Sequence, residues 1–232
     1  QIVLEQIRVR TGIQVKVLSN SEQRFIRYKA IAIKASEFQK TIQKGTAIAD
    51  VGFGSMQASV FDKDSLISTQ NLPLGVLKLR QILTHAKLSA QAEQSLVMEL
   101  IDNELLTFRK MYLKDREIKH LIAIGDPILT MYYKLNGITR SDRLTAEKFN
   151  SFFEWMRTKT RAQLEDAFDV NGEYASMMFP TVAIYKRMLE VTGAEILWVP
   201  GIRMADGTAA EYAEEKKLIR FEHNFSNDII AA

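Results

Sequence analysis

Asp50 closes a short apolar run, Thr46-Ala47-Ile48-Ala49-Asp50-Val51, and is followed by Gly52-Phe53-Gly54-Ser55 and a second apolar run from Met56 to Phe61. A carboxylate beside a glycine-containing turn suits phosphate chemistry. Successive backbone N–H groups in such a turn form a concave nest for anions, and Ser55 adds a hydroxyl donor. Asp50 at the strand end is of the right type to hold Mg²⁺, which takes one or two carboxylates together with phosphate oxygens and retained waters. The run after the turn reads as another strand, so the unit is strand-turn-strand. It is not the strand-turn-helix of a Walker loop, whose GxxxxGK[ST] spacing is absent. An ordinary hairpin carries the same local pattern, and these residues alone leave both readings open.

The elements that must position this turn follow from periodicity. Ile2 to Val9 reads as a helix stopped by Gly12, and Ile13 to Leu18 alternates like a half-buried strand. Ser19-Asn20-Ser21 caps a basic helix from Glu22 to about Ile33, and residues 34–44 read as a polar, turn-like boundary. The hairpin is followed by a third strand, Ser65 to Leu72, which makes an antiparallel meander. Helices are expected over Val76–His85 and Ala90–Tyr112, a buried strand over His120–Ile124, and a helix over Ile128–Leu135. Further helices are expected from Thr145 to Arg157, Arg161 to Phe168, Met177 to Val191 and Ala209 to Lys217, with a last strand over Glu195–Val199. A meander followed by helix, strand, helices and strand predicts an α/β domain with a mixed sheet. In such sheets ligands gather at strand ends, where both Gly52-Phe53-Gly54-Ser55 and Gly125-Asp126 lie.

Composition narrows the function classes. The 232 residues are 47 % apolar, enough for a sizeable core, and contain no cysteine, which excludes disulfides, thiolate metal sites and a cysteine nucleophile. No apolar run approaches a membrane span and no secretory pattern opens the chain, so a cytoplasmic protein is expected. Net charge is +3, but residues 1–44 carry nine Lys and Arg against three Glu, a local +6. That basic segment, if it faces the turn, favours a polyanion. Gln1 in place of an initiator methionine, with a helix already under way, suggests that upstream structure precedes the sequence. His85, His120 and His223 lack metal-ligand spacing and read as ordinary surface or core residues. Phe152, Phe153 and Trp155 read as core side chains at helical spacing, and Glu211 to Lys217 as a solvated helix face.

Three blocks in order resemble one family. Thr11-Gly12-Ile13-Gln14-Val15-Lys16-Val17-Leu18-Ser19-Asn20-Ser21-Glu22-Gln23 is similar to the TGIxVxVISGxEEA segment of the exopolyphosphatase / guanosine pentaphosphate phosphatase (Ppx/GppA) family. Asp50 to Gln57 resembles that family's DIGGGSTE, and Asn71 to Leu79 its SLPLGxxRL. The resemblance implies a ribonuclease-H-like lobe of the actin-like ATPase superfamily. It places residues 1–44 in the C-terminal tail of a first lobe and residues 45–232 in the second. The activity it implies is Mg²⁺-dependent release of terminal phosphate from polyphosphate or guanosine pentaphosphate, with a homodimer expected and neither a membrane nor a specific nucleic acid as partner.

Carried over residue by residue, the resemblance implies that Glu22 activates the attacking water. Asp50 and Gln57 would hold the metal, and Gly52, Gly54, Ser55 and Gly125 would face phosphate. Several positions depart from the pattern. Phe53 replaces the central glycine of the turn, and Gln57 replaces its terminal glutamate with a neutral amide. Ala123-Ile124-Gly125-Asp126-Pro127 stands where the family has a threonine-rich GTSGT turn, and no DxGSNSxR phosphate loop is present. These departures give the competing reading: a catalytically weakened relative that senses phosphate chains or nucleotides, or that binds a protein partner.

Overall fold

A computed structural model describes residues 2–34, 37–86, 88–139, 142–221, 223 and 225. The strands are β1 (Thr46–Val51), β2 (Met56–Asp62), β3 (Ser65–Leu72), β4 (His120–Ile124), β5 (Arg143–Thr145) and β6 (Ile196–Trp198). They form one six-stranded sheet in the order β3-β2-β1-β4-β6-β5. The meander β1-β2-β3 is antiparallel, β4 and β6 add in parallel beside β1, and β5 closes the far edge antiparallel to β6. This is the expected mixed α/β architecture, a meander followed by helices.

Alternation along β1 and β2 gives the sheet two buried faces. Ala47, Ala49, Val51, Met56, Ala58 and Val60 point to one face. There they meet α4 (Val76–Ala86), α5 (Ala90–Tyr112), α7 (Ala146–Arg157), α8 (Arg161–Phe168) and α9 (Gly172–Thr192). The small residues of β1 and β2 let α9 lie close, and α9 is apolar nearly all round because it is enclosed by its neighbours. It starts at Gly172, with Asn171 capping through a 2.9 Å bond from the Tyr174 N–H, five residues before the apolar run begins. The other face carries Ile48, Phe61, Ile122, Ile124 and Trp198. It is covered by α2 (Asn20–Lys34) and α3 (Phe38–Ile42), which contribute Tyr28, Ile31, Phe38 and Ile42 to the same cluster. Residues upstream of position 44 are therefore built into the core of the sheet. Helix α10 (Met204–Glu215) lies on α2; a Cβ on Gly207 would fall 2.0 Å from the Ile26 carbonyl oxygen.

Several expectations fail in whole or in part. Residues 13–18 form no strand: after α1 (Ile2–Thr11) they run exposed, with Ile13 60 %, Val15 43 % and Val17 69 % accessible. Alternation marks a segment able to pair, but a strand exists only with a neighbour to hydrogen-bond, and the described sheet offers it none. The stretch 34–44, of which residues 35 and 36 lie outside the described residues, contains α3 with Phe38, Thr41 and Ile42 buried. Its lysines and glutamines hid three inward positions. The Glu211–Lys217 face is also not wholly solvated, because Glu211 and Glu214 both pair with Lys29 of α2, at 3.2 and 2.9 Å.

The histidine reading holds, but the aromatic one only in part: Trp155 is 40 % exposed and is not a core side chain. Phe153 is buried, Phe152 packs against the core and stacks on Trp155, and His223 is buried against Asp64 with Nδ1 2.9 Å from the carboxylate.

Candidate phosphate-facing site

Gly52 to Ser55 link β1 to β2 as a tight hairpin closed by the Gly52 N–H donating to the Ser55 carbonyl at 2.9 Å. Gly52's amide is therefore consumed by the hairpin. Phe53 and Gly54 are exposed at the tip, and neither Gly52 nor Gly54 adopts the left-handed conformation. That is why phenylalanine is tolerated at position 53: the turn needs no glycine torsion there. The hairpin is shaped from outside instead. The Val76 N–H donates to the Gly52 carbonyl at 3.2 Å and the Leu77 N–H to the Phe53 carbonyl at 3.0 Å, so the first amides of α4 cap the turn. Gly125 does require its type, with φ +129° and a would-be Cβ 2.1 Å from the Val51 carbonyl oxygen. It lets the β4 end pass directly under the β1 end.

Asp50 and Gln57 stand opposite each other in the β1/β2 register, on the face covered by α2. Asp50 is not free. Arg27, on the second turn of α2, places Nε 2.8 Å from Asp50 Oδ2, and both side chains are about 15 % exposed. Burial pushes the Asp50 carboxyl up to about 6, opposed by the Arg27 charge and reinforced by the Asp126 carboxylate at the start of α6 (Asp126–Thr139). Desolvation thus exceeds the help from the ion pair. Gln57 donates through Nε2 to the Asn20 carbonyl at 3.2 Å, while its Oε1 is buried with no hydrogen-bond partner.

Glu22 lies on the first turn of α2, two residues from that Asn20 contact. Both of its carboxylate oxygens are engaged: Oε1 with Lys16 Nζ at 2.7 Å, and Oε2 with the Ser19 N–H at 2.8 Å. The Glu22 N–H in turn donates to Ser19 Oγ at 3.2 Å, which completes a capping box. The Lys16 contact first, then the Ser19 donors, hold its carboxyl down at about 2.

The structure thus gathers Asp50, Gln57, the 52–55 turn and Gly125 at one end of the sheet and sets Glu22 at the neighbouring helix start. The sequence reading missed Arg24, Arg27, Tyr174 and Tyr185. Arg24, Tyr28 and Ile31 are buried along one face of α2, with Arg27 beside them. Arginines at inward spacings of a helix were the available signal. Arg24 is 6 % exposed, donates through Nη1 to Thr69 Oγ1 at 3.1 Å, and leaves Nε and Nη2 without partners. Tyr185 donates to the Ile124 carbonyl at 2.7 Å and fastens α9 to the end of β4. The Tyr174 hydroxyl bonds the Asp126 carbonyl at 3.0 Å and Thr130 Oγ1 at 2.8 Å. Much of the basic first segment is already paired, Arg8 with Glu5, Lys16 with Glu22, Arg27 with Asp50 and Lys29 with α10.

A mixed sheet in this order, with a glycine hairpin and a carboxylate at the strand ends, defines a ribonuclease-H-like lobe of the actin-like ATPase type. Residues 1–199 match the Ppx/GppA phosphatase family, and the chain belongs to that family. Solved structures agree on the fold. The crystal structure of the Aquifex aeolicus Ppx/GppA family member superposes with a TM-score of 0.69 at 16 % identity, covering 92 % of this chain and 69 % of that one. An exopolyphosphatase from Cytophaga hutchinsonii gives 0.70 at 12 % identity, over 93 % of this chain and 70 % of the other. An exopolyphosphatase-like protein gives 0.71, also at 12 %, over 92 % and 71 %. No curated protein matches the chain by sequence. Among the described residues no helix is long and apolar enough to cross a membrane.

The family implies a divalent cation. The residues expected to hold it do not fit a resident Mg²⁺ as they are arranged. Asp50 is the one carboxylate of the pair and is already matched by a guanidinium, while Gln57 offers a single neutral oxygen. Among the described residues no group of three or more His, Asp or Glu could hold a metal.

Proposed function

We propose that this protein binds a phosphate chain, polyphosphate or guanosine pentaphosphate, at the Gly52–Ser55 turn and hydrolyses it weakly or not at all. Family membership and the exposed hairpin tip at Phe53 and Gly54 support the ligand class, with Ser55 and Gly125 at the same end of the sheet. The state of Glu22 is what argues against efficient turnover. A general base works best with a pKa near the operating pH, and a carboxylate held at about 2 with both oxygens occupied is a poor acceptor for a proton from water. Phosphoanhydride hydrolysis also needs concentrated positive charge at the phosphoryl oxygens. Here the Arg27 charge is spent on Asp50, and the exposed Asp126 brings negative charge to that end.

The second reading is a Mg²⁺-dependent phosphohydrolase with Glu22 as base. The buried, unpartnered Oε1 of Gln57 favours it, being an acceptor that awaits a partner.

The two separate in one set of measurements. Phosphate release from polyphosphate and from guanosine pentaphosphate is followed with Mg²⁺, for the wild type and for Glu22→Ala and Asp50→Ala, beside calorimetric binding of the same ligands. Saturable binding with no release above the variants is expected. Release that disappears in Glu22→Ala establishes the hydrolase instead. Absence of both binding and release removes phosphate chains as ligands and leaves a protein partner.

A further inference from the structure

The Arg27–Asp50 pair has a meaning beyond local charge balance. We infer that Arg27 takes the place of a metal as the resident counter-charge of Asp50, so that this end of the sheet is a guanidinium site and not a Mg²⁺ site.

Three observations carry this. First, Arg27 Nε sits 2.8 Å from Asp50 Oδ2 in a nearly buried position, so the carboxylate's charge is already matched at contact distance. Second, the helix that carries Arg27 is held on both sides, which fixes its distance from Asp50. Arg24 donates to Thr69, Tyr28 bonds Ser59 Oγ, Gly207 presses on the Ile26 carbonyl, and Lys29 bridges to Glu211 and Glu214. Third, the residue opposite Asp50 in the strand register is Gln57, whose amide brings no charge. Asp50 and Arg27 together are neutral, and Asp126 adds only an exposed carboxylate at the start of α6. A divalent ion approaching Asp50 meets a fixed positive group at close range and gains no net negative site in return. The same two positions name the change that would make one: Arg27→Gln removes the competing charge, and Gln57→Glu supplies a second carboxylate on the same face.

The inference shares its location with the proposed ligand binding but does not rest on it, since it is tested with Mg²⁺ alone. Mg²⁺ is titrated calorimetrically at pH 8 into the wild type, Asp50→Asn and the Arg27→Gln/Gln57→Glu double variant, with Mn²⁺ electron paramagnetic resonance as a second readout. The wild type is expected to show no saturable binding up to ~1 mM, the weak end of protein sites for hard cations. The double variant is expected to bind at least about tenfold more tightly. Wild-type binding below ~1 mM that Asp50→Asn abolishes overturns the inference, as does a folded double variant no tighter than wild type. If the double variant does not fold, the wild-type and Asp50→Asn titrations decide the question.

Discussion

Gly75 lies so close to Gly54 that a Cβ on Gly75 would sit 2.1 Å from the Gly54 carbonyl carbon and 2.4 Å from the Phe53 carbonyl oxygen. The β3–α4 junction therefore moulds the hairpin tip by backbone-on-backbone contact. Gly75→Ala has nowhere to place its methyl group without moving the turn, and is expected to cost at least about 2 kcal/mol, the upper part of the range for over-packing. Gly54→Ala, with nothing within 4 Å of its Cβ, is expected to change stability by less than about 1 kcal/mol. Urea unfolding of both variants checks the pair, and equal losses would contradict the contact.

Asp50 makes stability fall as pH rises through the mildly acidic range. Its carboxyl is raised from 3.8 to about 6 in the folded protein, so between those values the unfolded chain has lost a proton that the folded one still binds. The favourable contribution is complete below the unfolded value and is lost as pH climbs to about 6. The rise from 3.8 to about 6 corresponds to about 3 kcal/mol. Unfolding free energies of wild type and Asp50→Asn at pH 4, 5, 6 and 7 test this. The wild type should lose ground to the variant across that span, and a constant difference would show that Asp50 titrates normally.

Glu22 has the opposite sign. Its folded value is depressed to about 2, so its contribution is present above the ordinary carboxylate range and disappears only as pH falls toward 2. Carbon-detected NMR should find the Glu22 carboxylate still ionised at pH 3.5. Lys16→Met should bring its midpoint back toward the usual range, because the Lys16 contact is the largest cause. A Glu22 midpoint near 4.5 in the wild type would mean that the capping box is open in solution and the carboxylate available.

Tyr185→Phe keeps the ring in the core and deletes the hydroxyl that satisfies the Ile124 carbonyl. Leaving a buried acceptor unpaired is expected to cost about 1–3 kcal/mol. Amide exchange should accelerate locally around Ile124, Gly125 and Asp126. A loss confined to the distant end of α9 would place the effect elsewhere.

Elements β1, β2, β3, α4, α5 and β4 were legible because each carries its buried face in its own amphipathic, alternating or continuously apolar pattern, and each found a covering neighbour. The segment 13–18 alternates equally well and is exposed, since pairing depends on a partner strand that no local pattern encodes. At the site, the carboxylate, the turn glycines and Gly125 were readable as types. Their chemical condition was not. The ion pair of Asp50 depends on which arginine of a basic helix points inward. The engagement of Glu22 depends on Lys16, six residues away and outside the helix that carries Glu22. The hairpin's shape came from Gly75, more than twenty residues downstream of Asp50, which reads in sequence as the end of a strand.

The seat of α10 on α2 has a consequence for synthesis. Gly207 meets Ile26, and Lys29 reaches Glu211 and Glu214, across some 180 residues of chain. A ribosome delivers α2 some 180 residues before α10, so the meander and its apolar helices can condense while α2 still lacks its outer cover. Contacts this far apart are slow to close. The Arg27 side of the sheet is therefore expected to mature only after α10 has emerged, which leaves it open to chaperones and proteases in the interval.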